Sequence, residues 1–510
     1  MTFSEQDRQQ LAAIGLPPQD AERQIKLLSS GQAEIKLERP CRPGDGIIQL
    51  AQEQAARCQE MFDQAVAAGR LLRFVPASGA ASRMFSPLRV APETLEEFHG
   101  DDGQQATSEA IGNLNRFLDA LPRFAFFADL EQALADDGHN LQQAMAARDL
   151  ALIIRYLLEP CGLGYAQLPK GLLAFHATAD GIRTPFIEHL AEAALLAGLD
   201  REVALHFTVS PEHLPLFKAQ FAAWQETLES TYGCDFRVSY SVQKPATDTL
   251  ALDPSGQPLR TASGQLVLRP GGHGALLENL NDLAGDIILI RNIDNVVPDQ
   301  RKHINLEWTK RLVGYLLDVQ QEQQALLKAL HGQPNDPVVQ ERVLSFLNDR
   351  LQCAIPAAAP YQELLAWLDR PLRVCGMVPS SGEPGGGPFW IRDHRGRMSR
   401  QIVEGAQIDS SDPNQAAILK QSTHFNPVDM VCGVRDWQQR PYDLSRYVDQ
   451  DAVIITCKDQ DGQTVRVLER PGLWNGSMAG WHTLFVEIPP EAFNPVKTVF
   501  DLLRPAHQPG

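Results

Sequence analysis

A run of small residues that ends in arginine follows an apolar stretch over residues 71–76. It contains Ser78, Gly79, Ala80 and Arg83. Small side chains let a backbone approach a polyphosphate closely, and backbone N–H groups and a guanidinium can balance the phosphate charge. Small-residue turns also follow many strands that bind nothing. Taken alone this loop favours a purely structural role, and other segments must decide whether it holds phosphates.

Polar residues also follow a second apolar stretch, over residues 286–292. Asn292 and Asp294 stand where open α/β sheets place ligand groups, at the carboxyl edge of the sheet. A hard carboxylate oxygen beside bound phosphates is what Mg²⁺ selects. Asp294 is therefore the candidate Mg²⁺ ligand, and a simple turn after a strand is the alternative.

The elements that must position these residues alternate between helical and strand patterns. Such alternation predicts an α/β fold with a Rossmann-like, mixed and mainly parallel sheet flanked by helices. We expect strands over 203–209, 236–242, 286–292 and 373–378, and helices over 141–159, after Thr184-Pro185 and over 305–330.

Three parts are expected along the chain. Residues 1–69 have helical spacing and predict an N-terminal helical extension, and residues 70–440 form the α/β domain. Residues 441–510 form a β-rich C-terminal segment, in which Asp461-Gly462 predicts the turn of a hairpin.

Charge and composition limit the functions that the chain can have. The net charge of −17 argues against binding to nucleic acid or to an anionic membrane, since both need a cationic surface. No apolar stretch is long enough to span a bilayer, and the N-terminus lacks a leader pattern, so we expect a cytoplasmic protein. Its eight cysteines form no CxxC pair and are expected to be free thiols.

Several segments resemble, in the same order, the motifs of nucleotide-sugar pyrophosphorylases. PASGAASRM resembles the LxxGxGTRM/L signature, with Ala81 in place of its second glycine, and QLPKGLLAF resembles the PK motif through Lys170. FRVSYSVQKPATDT resembles a segment in which a glutamine, here Gln243, reads uracil. RPGGHGALLENL resembles the PPGHGD loop through Gly272 and His273.

Two later segments complete the resemblance. ILIRNIDNVVPD resembles the NxDN segment, and EIPPEAFNPVKTVFDLL resembles the FLPVKTTSDLL segment of UDP-glucose pyrophosphorylases through Lys497. The chain is similar to a bacterial branch known as a domain of unknown function, which shares the strings VPASGAASRM, RPGGHGALLENLND and NIDNVVPD.

The resemblance implies a fold of the nucleotide-diphospho-sugar transferase type and a Mg²⁺-dependent nucleotidyltransferase. It would join a nucleoside triphosphate, UTP by the resemblance of Gln243, to a sugar-1-phosphate, releasing pyrophosphate. Arg83 and Lys497 would hold the triphosphate and the leaving pyrophosphate, and Lys170 would neutralise charge at the reacting phosphate. The substrate-binding residues that the resemblance implies are Ser78, Gly79, Ala80, Gln243, Gly272, His273, Asn292 and Asn426. Glu383 is a further candidate from its own segment, GEPGGGPFW, where its carboxylate would accept from sugar hydroxyls; a surface loop is the alternative.

Two other functions stay open on the sequence. A glycosyltransferase of similar sheet architecture would bind a finished nucleotide sugar and use Asp294 in a DxD-like role. A non-catalytic nucleotide-sugar sensor would explain Ala81, where the motif has glycine. The three basic positions favour the enzyme, because a mere binder gains little from charge focused on a leaving group.

Overall fold

The computed structural model describes residues 3–31, 34–79, 81–89, 109–283, 285–380, 382, 385–393, 396–460 and 463–509. The chain forms two compact units, each built from three segments. The first unit contains Met1–Phe74, Ser241–Ile290 and Trp308–Pro490, and the second contains Val75–Tyr240, Arg291–Glu307 and Glu491–Gly510. These units differ from the expected linear division into 1–69, 70–440 and 441–510.

The first unit contains a mixed, mainly parallel sheet. Its strands lie in the order Arg42–Pro43, Gly46–Ile48, His482–Glu487, Leu372–Pro379, Asp429–Gly433, Ile287–Arg291 and Leu71–Pro76, the last residues of the final two belonging to the second unit. Among the strand pairs described, those of Leu71–Pro76 with Ile287–Arg291 and of Leu372–Pro379 with His482–Glu487 are parallel, whereas Asp429–Gly433 runs antiparallel to Leu372–Pro379. The pairs that join Gly46–Ile48 to its two neighbours are parallel as well. The expected mixed and mainly parallel sheet is therefore present.

Two smaller antiparallel sheets complete the strands of this unit. One contains Leu37–Pro40, Gly387–Arg392 and Met398–Val403, and the other Leu268–Arg269, Thr249–Leu252, Gln463–Glu469 and Ile454–Gln460. A two-residue strand, His424–Phe425, pairs with the end of Leu372–Pro379. In the expected hairpin Gln460 pairs with Gln463, while the predicted turn residues Asp461 and Gly462 lie outside the described residues.

Helices surround these strands, with bounds Glu5–Ile14, Pro18–Ser30, Gln52–Ala67, Leu276–Asn281, Pro337–Ser345, Tyr361–Leu368 and Pro413–Lys420. The helix expected over 305–330 extends over His303–Gly332. Residues 1–69, predicted as a helical extension, contain the helices Glu5–Ile14, Pro18–Ser30 and Gln52–Ala67, and three short strands lie between the second and third of them. Strands of two to four residues are too short to show a clear alternating pattern in the sequence.

The second unit contains the strands His176–Thr178, Gly181–Arg183, Glu202–Thr208 and Asp235–Ser241, and the helices Glu109–Ala120, Phe127–Asp136, Leu141–Ala146, Leu150–Leu158, Pro185–Ala197 and Leu214–Tyr232. Thr184 caps the helix that starts at Pro185, as predicted, by accepting the N–H of Ile187. One aromatic cluster of this unit packs Phe186 against Phe207 and Phe217.

The single helix predicted over 141–159 is instead two helices. Arg148 has a left-handed φ of 56°, and Asp149 caps the second helix by accepting the N–H of Leu152. An aspartate favours a helix N-cap over a helix interior, so the break has a local cause.

The sequence also led to expectations about the cysteines and about membrane-spanning segments. All eight cysteines are free, as expected. Among the described residues, no helix has the length and apolar character that a bilayer-spanning segment needs.

Candidate functional site

Two lysine side chains meet one carboxylate oxygen in the second unit. The Nζ atoms of Lys170 and Lys497 lie 2.9 Å and 3.1 Å from Oδ2 of Asp294. The three residues are separated by 124 and 203 positions in sequence, so the tertiary fold brings them together. The structure thus joins the predicted metal ligand to two of the predicted phosphate-binding cations.

The backbone around Asp294 holds this carboxylate in place. Asp294 follows the strand Ile287–Arg291, and its carbonyl accepts the N–H of Val496 at 3.2 Å. The Oδ1 atom of the next residue, Asn295, accepts the N–H of Asn494 at 2.8 Å. The segment that carries Lys497 is therefore fixed to the segment that carries Asp294.

Lys497 is further positioned by Asp501, which the sequence reasoning did not select. Oδ2 of Asp501 accepts the backbone N–H groups of Lys497 and Thr498, at 2.8 Å and 2.7 Å. Thr498 and Asp501 form a capping box at the start of the 3₁₀ turn Val499–Leu503. The T-x-x-D spacing was the signal in the sequence that could have found Asp501.

The candidate phosphate loop lies beside Lys170. The N–H of Lys170 donates to the carbonyl of Gly79 at 3.1 Å, and the N–H of Ala77 donates to Thr208 in the neighbouring strand at 2.8 Å. Ser78 and Gly79 are exposed. A Cβ built on Gly79 would meet no described atom within 4 Å. The backbone at Gly79 is thus open to a ligand, as a phosphate loop requires.

Ala81, the departure from the glycine motif, faces away from this opening. It is fully buried in a hydrophobic cluster with Met84 and Phe85, and it starts the 3₁₀ turn Ala81–Arg83. Its N–H donates to the carbonyl of Leu168 at 3.2 Å. Its methyl group therefore packs in the core of the unit.

Arg83 carries the positive charge of the candidate phosphate loop. The residue is exposed, and its carbonyl accepts the hydroxyl of Ser86 at 2.8 Å. Within the described ranges its guanidinium has no hydrogen-bond or ion-pair partner. An exposed, unpaired guanidinium is available to an anionic ligand at little cost in desolvation.

The charge state of Asp294 follows from its surroundings. Burial alone raises the pKa of this carboxyl, but the ammonium groups of Lys170 and Lys497 outweigh burial and hold its pKa below the ordinary value of 3.8. The Lys170 side chain is 15% exposed and that of Lys497 is 55% exposed. Lys497 therefore has the greater freedom to leave the carboxylate for an incoming anion.

Asn292 lies two residues before Asp294 and is half-buried. Its carbonyl faces His189 Nε2 at 3.2 Å and also accepts the N–H of Asn295 at 3.2 Å. These contacts shape the turn that presents Asp294. The predicted contact of the Asn292 side chain with substrate stays a prediction.

The residues present can be compared with what Mg²⁺ requires. No group of three or more histidine, cysteine or acidic residues able to hold a metal occurs in the described part of the chain. Mg²⁺, however, uses one or two carboxylates together with substrate phosphates. Asp294, kept ionised, supplies one such carboxylate oxygen, so the donor set suits an ion that arrives with phosphates rather than a resident metal.

Four other predicted substrate residues belong to the first unit. Gln243 is half-buried, and its Nε2 donates to Asp248 Oδ1 at 3.2 Å. Gly272 has a φ of +74°, and a Cβ there would lie 2.9 Å from Oε2 of Glu469. The left-handed backbone therefore favours glycine at this position, and a larger residue would also displace the Glu469 carboxylate.

His273 has packing partners that its glycine-rich sequence did not predict. Its ring stacks on Trp474 with centroids 4.1 Å apart, and its Nδ1 accepts the N–H of Leu473 at 3.0 Å. Burial lowers the pKa of His273 to about 4. The imidazole is thus neutral at pH 7, and because Nδ1 is an acceptor, Nε2 carries the proton.

Asn426 is buried and shapes a turn. Its Oδ1 accepts the N–H of Val428 at 3.1 Å, and its Nδ2 has no partner in the described part of the chain. An amide donor left without a partner can serve a ligand. The remaining predicted substrate residues, Ala80 and Glu383, lie outside the described residues.

Comparison with known proteins gives a family and a set of similar structures. A family model described as "Domain of unknown function (DUF4301)" matches residues 4–508. A search of curated protein sequences gives no match. Among solved structures, a UDP-N-acetylglucosamine pyrophosphorylase from Trypanosoma brucei is 14% identical, with 98% of this chain and 79% of that chain covered and a TM-score of 0.49.

Two further solved structures are similar to the chain. A UDP-glucose pyrophosphorylase mutant from Leishmania major is 12% identical, with 98% and 79% of the two chains covered and a TM-score of 0.46. A UDP-glucose phosphorylase from Trypanosoma brucei is 13% identical, with 97% and 76% covered and a TM-score of 0.43. Two of these three structures are UDP-sugar pyrophosphorylases by name.

Proposed function

The chain belongs to the DUF4301 family, and we propose that it is a nucleotidyltransferase joining a nucleoside triphosphate to a sugar-1-phosphate, with release of pyrophosphate. One observation carries the proposal. Lys170 and Lys497 converge on a single oxygen of Asp294, and Lys170 is hydrogen-bonded to the open backbone of Gly79.

This arrangement carries more positive than negative charge. Lys170, Lys497 and Arg83 supply three cationic groups in the same unit, and Asp294 offsets one of them. At the cluster itself two ammonium groups meet one carboxylate, in a protein whose net charge is −17. A compact ligand with several negative charges, such as a triphosphate, is the complement of such a site.

The reaction needs charge stabilisation more than proton transfer. An oxygen of the sugar phosphate, already anionic at pH 7, attacks the α-phosphorus, a new P–O bond forms, and the bond between the α-phosphorus and the bridging oxygen breaks. Pyrophosphate leaves with that oxygen. The attacking and leaving oxygens lie on opposite sides of the α-phosphorus during the transfer. Positioning of the substrates and contacts with cationic groups therefore supply the rate acceleration.

Each basic residue has a distinct part in this proposal. Lys170, half-buried and held by the carbonyl of Val496 at 2.8 Å, is fixed and would neutralise charge on the reacting phosphate. Lys497, more exposed, would leave Asp294 to contact the triphosphate and then the departing pyrophosphate. Arg83 would contact the triphosphate from the loop.

Mg²⁺ is part of the proposal. When bound, it would supply further positive charge between the phosphates of the two substrates, and Asp294 would be its protein ligand. UTP as the nucleotide, and substrate contacts by Ser78, Asn292, Gln243, Gly272, His273 and Asn426, rest on the motif resemblance.

A matrix of nucleoside triphosphates against sugar-1-phosphates, with Mg²⁺ present and pyrophosphate release as the readout, tests this function. We expect turnover with at least one pair, and loss of most of it in Lys497→Ala. Lys218→Ala removes an exposed lysine of the same unit, in the helix Leu214–Tyr232, and serves as the matched control. Sugar transfer from a nucleotide sugar without pyrophosphate would indicate a glycosyltransferase, and nucleotide-sugar binding without turnover would indicate a sensor.

A further inference from the structure

A large arginine-rich cavity lies wholly within the first unit. Its volume is about 770 Å³, and its walls include Arg370, Arg397, Arg400 and Arg446. More basic than acidic side chains line it. The chain as a whole has the opposite balance, with 63 acidic and 46 basic residues. The cavity is thus a local concentration of positive charge on an acidic protein.

The cavity lies at the amino edge of two parallel strands. His482, which starts His482–Glu487, and Arg370, two residues before Leu372–Pro379, both line it. At the other end of Leu372–Pro379, Pro379 pairs with His424. Asn426, a predicted substrate residue, lies two residues after His424. At about 3.3 Å per residue, the strand separates the two positions by roughly 20 Å. The cavity is therefore separate from that predicted substrate residue.

Arg370 presents its guanidinium without a carboxylate partner. Its Nε donates to the carbonyl of Ala366 at 2.9 Å, at the end of the helix Tyr361–Leu368. In the part of the chain that the structure describes, its two Nη nitrogens have no hydrogen-bond partner. The guanidinium also lies over Trp367, with Cζ 3.9 Å from the ring centroid. The Trp367 ring thus orients the guanidinium group of Arg370, and the N–H groups of its two Nη nitrogens stay available to a ligand.

Arg400 is a second cation, and among the described residues no carboxylate accepts a hydrogen bond from its guanidinium. It is 6% exposed, and its guanidinium donates only to neutral oxygens, the carbonyl of Leu351 at 2.7 Å and Oε1 of Gln352 at 3.2 Å. Burial lowers the pKa of both Arg370 and Arg400. The Asp45 carboxylate attracts the Arg400 guanidinium without a hydrogen bond to it in the described part of the chain. A buried guanidinium bonded only to neutral oxygens is costly to keep charged, and a bound anion lowers that cost.

A third arginine approaches from the rim. Cζ of Arg397 lies 5.4 Å from the same Trp367 ring that Arg370 covers. Its partner is Asp393, and its side chain is 44% exposed. Two like charges near one ring repel each other, and an anion between them turns that repulsion into two attractive contacts.

We propose that this cavity binds a small ligand bearing phosphoryl groups, at a site separate from the Lys170–Asp294–Lys497 cluster. Phosphoryl oxygens point in tetrahedral directions, so one group can accept from donors on different walls, whereas a planar carboxylate is satisfied by one guanidinium fork. The volume is within the range of small-molecule sites. This proposal does not depend on the proposed function.

Calorimetric titration with inorganic pyrophosphate at constant ionic strength tests the proposal. The titration uses the full-length Lys497→Ala protein, in which binding at the candidate active site is weakened. We expect measurable binding, weakened about tenfold or more by Arg370→Gln and by Arg397→Gln, since each removes a charge-assisted contact. Arg237→Gln, which removes an exposed arginine of the second unit, is the control and should not change the affinity.

Arg397 is exposed at the rim, so its variant keeps the proposal testable if Arg370→Gln does not fold. The absence of pyrophosphate binding in the Lys497→Ala protein would overturn the proposal. Unchanged affinity in both arginine variants would also overturn it. Tighter binding of citrate than of pyrophosphate would overturn the phosphoryl preference.

Discussion

The main-chain N–H of Lys497 donates to Oδ2 of Asp501 at 2.8 Å. Asp501 is 7% exposed and also pairs with Arg504 at 2.7 Å, so it is fixed from two sides. The Lys497 side chain, which is 55% exposed, is thus attached to a fixed segment of backbone. This contact determines where its ammonium group can reach.

Asp501→Ala should reduce kcat/KM through Lys497. Loss of the cap should cost about 1 kcal/mol of stability. It should also lower activity roughly tenfold, because the backbone of Lys497 is no longer held in place. A double-mutant cycle checks this reason. In the Lys497→Ala background, Asp501→Ala should reduce activity little further, and a full additional loss would show that Asp501 acts elsewhere.

Lys170→Ala and Lys497→Ala should differ in stability while sharing a loss of activity. Both should lower kcat by about 10²–10³, if each contacts charge that develops during transfer. Lys497 is mostly exposed, so its removal should change stability by less than about 1 kcal/mol. Lys170 is largely buried and bonded to Val496 and Asp294, and its removal should cost about 1–3 kcal/mol. Thermal unfolding and pyrophosphate release measure the two effects, and equal destabilisation would contradict the difference in burial.

His273 should make stability depend on pH between about 6.5 and 4. Its pKa in the folded protein, about 4, is below the ordinary 6.5, so the unfolded chain takes up a proton first as the pH falls. Its contribution is complete above pH 6.5 and declines towards pH 4, by up to about 3 kcal/mol. Denaturant unfolding of wild type and His273→Gln at pH 7 and 5 measures this contribution. The other histidines are the same in both proteins, so the difference between the two changes in stability belongs to His273. Equal pH slopes in the two proteins would contradict it.

Ala81→Gly tests whether the missing glycine limits catalysis. The Ala81 methyl group is fully buried in the core, so the change should destabilise the protein by about 1 kcal/mol. It should not raise kcat. A faster enzyme would instead indicate that the alanine restricts the phosphate loop. Turnover and thermal unfolding of the same preparation distinguish the two results.

Chelation of divalent cations should stop turnover without unfolding the protein. Asp294 supplies a single carboxylate, and the described residues contain no cluster that would hold a structural metal. EDTA should therefore abolish pyrophosphate release while leaving the unfolding temperature unchanged, and excess Mg²⁺ should restore activity. Turnover that persists in EDTA would show that the lysines suffice.

Local sequence patterns predicted several elements of this fold well. The strand Glu202–Thr208 and the helix Pro185–Ala197 follow directly from apolar runs and a Thr-Pro start. The two helices around Arg148 were predicted as one, although Asp149 carried the signal for a new start. Short-range chemistry was therefore readable wherever a cap or a turn residue marked the boundary.

Contacts between distant residues could not be read from the sequence. Lys170, Asp294 and Lys497 were selected one by one, but no local pattern placed both ammonium groups on the same oxygen. Likewise, the stacking of His273 on Trp474 joins residues about two hundred positions apart. Such pairs form only when whole helices and strands pack together. The packing must offset the conformational entropy that is lost when distant segments of the chain are brought together.

The order of these residues along the chain has a consequence for synthesis on the ribosome. Lys170 is translated long before Asp294, and Lys497 follows Asp294 by 203 residues. Until that last segment emerges, the second of the two ammonium groups that contact Asp294 is missing. The triad, and with it any catalytic competence, must therefore arise late, after most of both units has been translated.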